Sequence, residues 1–231
     1  MSEEKKQPGE EKKTINVDEI LAKYDKESTF RVLTGSWAQI VKILCVCFSL
    51  YQLYTAAFGV FPAQIQRAAH LAFAMPLIFL LYPATSKGSR SSIHPLDIVL
   101  AILGTAIGLY MVIFYEDIVL RGGLPTMLDL TFAALAVLLV LEGSRRVVGA
   151  PISIIATIFI AYALLGPYIP GMLGHRGFAM KRILNHLYLT TEGILGLPLG
   201  VSATFVYLFI LFGAFLHKSG LGKFFIDLAL A

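Results

Sequence analysis

The most informative pairing of charged residues in this chain is Arg121-Gly-Gly-Leu-Pro-Thr-Met-Leu-Asp129. Gly122 and Gly123 supply a turn, and Pro125 suits the first position of a helix. Asp129 then falls about one turn into an apolar run. A carboxylate at that depth is costly unless paired, which makes it a functional candidate with Arg121 as its counter-charge. The competing reading is a helix-start acid that faces the helix dipole and Arg121 at the interface, and it is the favoured one. A second charged group is Leu141-Glu142-Gly-Ser-Arg145-Arg146-Val-Val-Gly149. Glu142 lies three and four residues before the arginines, so one helical face gathers all three. Such a face can touch a partner domain or an anionic lipid. An anchor that fixes topology is the favoured reading. Glu192 sits in a third segment, residues 190–204, where glycines and Pro198 punctuate the start of an apolar run. Transporters place ion and substrate sites at broken helices, but an interfacial loop entering an ordinary helix is favoured.

Little else offers reactive chemistry. His70, His94, His175, His186 and His217 have no metal-ligand spacing, and no nucleophile-elbow or phosphate-loop motif occurs. No catalytic residue, no metal site and no cofactor is expected. Cys45 and Cys47 are the only cysteines, and packing within a helix is their expected use. A pI of about 9.0 comes without a basic stripe with interleaved aromatics, so no nucleic-acid partner is expected.

The elements that carry these residues are membrane helices. Hydrophobic residues make up 57% of the chain, and the mean hydropathy is +0.74. Roughly 20 apolar residues span a hydrocarbon core. Six such runs are predicted at 37–61, 68–85, 95–115, 124–141, 147–169 and 194–216, with a seventh beginning near the last residue. The runs do not alternate as barrel strands do. The fold class is therefore all-α, a polytopic helical membrane protein lying in the lipid bilayer. Pro76 predicts a kink, and Gly104-x-x-x-Gly108 predicts close helix packing. Residues 1–36 read as a cytoplasmic tail with an amphipathic helix near 15–24. With the N-terminus in the cytoplasm, fourteen Lys and Arg lie inside and five outside, as the positive-inside rule prefers. Arg176, Lys181 and Arg182 are the awkward outer cluster, and the stretch 180–189 is expected to lie along the outer interface.

Leu50-Tyr-Gln-Leu-Tyr-Thr55, Arg67-Ala-Ala-His70-Leu-Ala-Phe73 and Pro83, together with the Arg121–Asp129 and Leu141–Gly149 motifs, resemble the fused permeases of TRAP (tripartite ATP-independent periplasmic) transporters. Thr204-Phe-Val-Tyr-Leu-Phe-Ile-Leu-Phe-Gly213 through Gly220 extends the match. The branch paired with TAXI-type binding proteins is the nearest in kind. The resemblance implies that 37–146 is a four-helix scaffold equivalent to the small subunit. It implies that 147–231 opens the large transport subunit, whose remainder would follow as a further partner. It also implies an inner-membrane permease that takes organic acids from a periplasmic solute-binding protein, as a symporter coupled to Na+ or H+. On this expectation the chain is the front part of a longer permease and should not transport alone. The alternative is a non-transporting membrane scaffold or adaptor, and an intramembrane enzyme ranks last.

Overall fold

The computed structural model describes residues 30, 31, 33–85, 93–222, 224 and 228. The expected tail helix and most of the incipient seventh span lie outside these residues. Helix α1 runs Gly35–Phe58, α2 Ala63–Leu81 and α3 Pro95–Ile113. A short α4, Tyr115–Leu120, leads through the glycine turn to α5, Met127–Val147. Helix α6, Ala150–Leu165, continues as a tighter turn through Tyr168. Beyond a loop come α7, Met180–Leu184, and a wide π turn at Asn185–Leu189. The last span, Leu197–Ser219, comprises α8 (Leu197–Val201), a π turn (Ser202–Val206) and α9 (Tyr207–Ser219). Gly220, at φ 78°, closes it in the left-handed conformation that glycine adopts most readily.

Six helices among the described residues are long and apolar enough to cross a membrane. This is an all-α polytopic membrane protein. Burial ranks the spans: α2 is half buried inside the protein, whereas α6 and the last span are 11% buried. The core lies where α2, α3 and α5 meet, around Met75, Phe79, Ile107, Met111 and Ala136. Lipid tails are as apolar as leucine, so helix association here rests on close packing. Gly104 and Gly108 provide it. A Cβ on Gly108 would come within 2.5 Å of the Ala72 Cβ, and one on Gly104 within 2.8 Å of the Met75 Cβ. Pro76 sits at the same crossing and lacks the N–H that would bond the Ala72 carbonyl.

Three expectations change. Cys45 and Cys47 are exposed on α1 rather than packed. The 180–189 stretch does not simply lie along the interface: Ile183, Tyr188 and Leu189 are buried. Tyr188 donates its hydroxyl hydrogen to the Ile107 carbonyl of α3. The helix ends also shift. α2 begins at Ala63 rather than 68, and α5 runs from Met127 to Val147 rather than 124–141.

Candidate functional site

The structure brings Arg121 and Asp129 together. Gly122 and Gly123 take positive φ (57° and 87°) and fold Arg121 back over the start of α5. Thr126 caps that helix. Its hydroxyl accepts from the Asp129 N–H at 3.2 Å, while Asp129 Oδ2 accepts from the Thr126 N–H at 2.7 Å. This is a reciprocal capping box with aspartate in the usual glutamate position. Asp129 Oδ2 also accepts from Thr126 Oγ1 at 2.8 Å, and Oδ1 accepts from Tyr110 Oη at 2.5 Å. Arg121 Nη2 reaches both oxygens, at 2.8 and 2.9 Å. Every lone pair of this 1%-exposed carboxylate is engaged. Asp129 therefore knots α3, the glycine turn and α5 together. A cavity of about 160 Å³ opens beside it, lined by Gln64, Arg121, Asn185 and Thr190.

The Glu142 group belongs to a larger ionic cluster at the opposite end of the bundle. Arg145 Nε donates to Glu142 Oε2 and Arg146 Nε to Oε1, each at 2.7 Å. Arg146 Nη1 also donates to Asp97 Oδ1 at 2.7 Å, and Arg31 Nη2 to Asp97 Oδ2 at 2.5 Å. Arg31, Asp97 and Arg146 are almost completely buried. Other donors of the arginines serve carbonyls at and just beyond the end of α2. Arg31 reaches Phe79 and Leu80, Arg146 reaches Tyr82, and Arg145 reaches Ala84. Arg146 further lies 5.0 Å from the centre of the Phe79 ring. Sequence reasoning missed Arg31 and Asp97 as site residues. The available signal was Asp97 in the first turn behind Pro95, where an acid suits the helix dipole.

A third polar group lies within the spans and joins α1 and α2 to the last helix. Gln52 Nε2 lies 2.7 Å from His70 Nδ1, and the other ring nitrogen lies 3.3 Å from Ser202 Oγ, so the imidazole bridges α1 to the last span. Gln66 Nε2 donates to Thr55 Oγ1 at 3.2 Å and to the Ala203 carbonyl at 3.3 Å. Ser49 and Tyr207 share a hydrogen bond of 2.9 Å. Ser202 and Ala203 begin the π turn, where a widened helix frees backbone groups. Sequence reasoning missed this group as well, although polar Gln66 and Arg67 just before an apolar run, and His70 inside it, were its trace.

Glu192 joins none of these groups. It is exposed, and its carboxylate lies 3.6 Å from His186 Nδ1. The segment around it is ordered by backbone instead. The Ile194 N–H bonds the Leu187 carbonyl at 2.7 Å, and Gln64 and Arg67 cap the carbonyls of Leu189 and Leu195. Residues 190–196 form a turn, but the helix they enter is not the ordinary one expected: Leu195 is buried in the turn, and the helix widens into the π turn at Ser202–Val206.

Among the described residues no three His, Cys, Asp or Glu side chains gather as a metal site. The arrangement can fasten helices and present a polar seam within the membrane. A family model described as "Tripartite ATP-independent periplasmic transporter, DctM component" matches residues 135–231. The match begins inside α5 and takes in α6, the partly buried 180–196 segment and the last span. No curated protein and no solved structure matches the chain. Over residues 135–231 the chain is similar to the permease component of TRAP transporters.

Proposed function

We propose that this chain is a membrane permease component of a tripartite, ion-gradient-driven uptake transporter for organic acids. It works with a periplasmic solute-binding protein in the cytoplasmic (inner) membrane, with its N-terminus in the cytoplasm. Residues 37–146 act as a four-helix scaffold, and 147–231 form the opening of the transport subunit. The role is non-catalytic and needs no cofactor beyond the coupling ion.

The observation that supports this reading most is the DctM match over 135–231, which falls on the helix containing the Ser202–Val206 π turn. Polar side chains of the four-helix part clasp that turn. Orientation is supported by the charge count, with fourteen of nineteen Lys and Arg on the cytoplasmic side. The adaptor alternative draws on one observation: Asp97, Asp129 and Glu142 are all engaged internally, as a purely structural protein would arrange them. The experiment is uptake of a labelled organic acid by proteoliposomes under a Na+ or H+ gradient. They contain the remaining permease subunit and the binding protein, with or without this chain. Uptake that needs the chain supports the permease reading. Uptake indifferent to it overturns that reading in favour of the adaptor.

A further inference from the structure

The positive charges near the end of α6 have no role in the three polar groups above. Arg176, Lys181 and Arg182 lie in a stretch that holds no acid between Glu142 and Glu192. Among the described residues none of the three forms an ion pair. The Arg182 guanidinium lies 5.4 Å from the centre of the Phe178 ring, and among the described residues it donates no hydrogen bond. Its donors are therefore open to an outside acceptor.

Arg182 stands at the edge of a groove of about 400 Å³. Phe159, Ile160 and Ala163 of α6 form one wall, and Phe178, Ile183 and Leu187 form the other. The groove is held open by the backbone: the Phe178 N–H bonds the Ala163 carbonyl at 2.9 Å, which turns the chain back along α6. The α6 surface that continues from the groove is apolar and exposed, with Ile155, Ile158 and Phe159 all more than half exposed. A mostly apolar slot, with His186 in its lining and the Arg182 guanidinium at its edge, has the charge and shape of a phospholipid site. Arginine recognises phosphate oxygens through its planar fork of donors.

We infer that this groove holds an anionic phospholipid, with its phosphate on Arg182 and an acyl chain lying along α6. Lys181 and Arg176, two further cations, add attraction for a negative headgroup over a zwitterionic one. The inference concerns lipid occupancy and does not depend on transport.

The test is lipid retention by the full chain. The protein is placed in equimolar phosphatidylglycerol and phosphatidylcholine vesicles and extracted in mild detergent. Retained lipid is then measured by mass spectrometry. Wild type should keep phosphatidylglycerol in preference to phosphatidylcholine. Arg182→Ala should lower retained phosphatidylglycerol by about fivefold and leave phosphatidylcholine unchanged, the effect expected for one basic residue at an anionic surface. Ala163→Phe, which narrows the slot, should lower both. Arg182 is exposed, so its variant should fold, and a wild-type melting curve checks this. Wild type without a phosphatidylglycerol preference, or unchanged retention by Arg182→Ala, overturns the inference. So does wild type that keeps no phosphatidylglycerol but binds an acidic soluble protein through Arg182, which would assign the groove to a protein partner.

Discussion

Replacing Asp97 with alanine should be among the most damaging single changes in the bundle. Its carboxylate takes Arg31 on one oxygen and Arg146 on the other, at 2.5 and 2.7 Å, with all three side chains 4% exposed or less. The two arginines would not suffer equally. Arg146 keeps Glu142 at 2.7 Å and the Tyr82 carbonyl at 3.1 Å. Arg31 keeps only the carbonyls of Phe79 and Leu80, and its Nε already lacks a partner. It becomes a buried cation without a counter-charge. Breaking a buried pair from one side costs about 3–5 kcal/mol, whereas replacing both partners by apolar groups is often close to neutral. At about 2–4 °C per kcal/mol for a chain of this size, Asp97→Ala should lower the melting temperature by about 10 °C. The double variant Arg31→Met with Asp97→Leu should be less destabilised than Asp97→Ala alone, because Arg146 still holds Glu142. The assay is the monodisperse fraction by size exclusion after heating in detergent. A melting temperature unchanged in Asp97→Ala would refute the argument. A double variant as unstable as the single one would show that shape, not uncompensated charge, governs this end of the bundle.

Two other changes probe the packing and the opposite end. Gly108→Ala would put a Cβ within 2.6 Å of the Ala68 carbonyl oxygen and should cost about 1–3 kcal/mol, whereas Gly213→Ala meets nothing within 4 Å and should be neutral or slightly stabilising. Similar melting curves for the two would remove the close α2–α3 crossing as a source of stability. Asp129→Asn removes the charge that Arg121 pairs with and turns an amide N–H toward groups that are themselves donors, so it should destabilise by about 2 kcal/mol. Asp129→Glu keeps the charge and the capping pattern and should cost less; equal melting temperatures would sink the pairing argument.

The number and type of the helices were legible because length and hydropathy alone decide what can cross a bilayer. Their ends were not, and each error has a local cause. The apolar run of α5 stops at Glu142, yet the helix continues to Val147. Glu142 and both arginines neutralise one another on one face, so the charges cost the helix little. The Arg121–Asp129 pair was readable because its partners are eight residues apart and a double-glycine turn points one at the other. Arg31 and Asp97 are separated by 66 residues, and no periodicity within either segment points to the other.

The early start of α2 has a more general cause. Gln64, Gln66, Arg67 and His70 make its first turns look too polar to enter a membrane. Each is matched by a group that only the folded chain supplies: the Leu189, Ala203 and Leu195 carbonyls, and the Gln52–Ser202 pair. Three of these partners are main-chain oxygens in the turns and widened helices of residues 185–206. Irregular backbone within a membrane needs donors from its neighbours, since neither lipid nor water is there to bond it. The polar face of α2 and the irregular stretch a hundred or more residues later are therefore two halves of one requirement. Gly200 shows how tight that requirement is, because a Cβ there would come within 2.7 Å of the Arg67 guanidinium. Hydropathy read along one segment penalises the donors and cannot see the acceptors. That is why the seam between the first helices and the DctM-matched region was invisible in the sequence, although all its residues were in view.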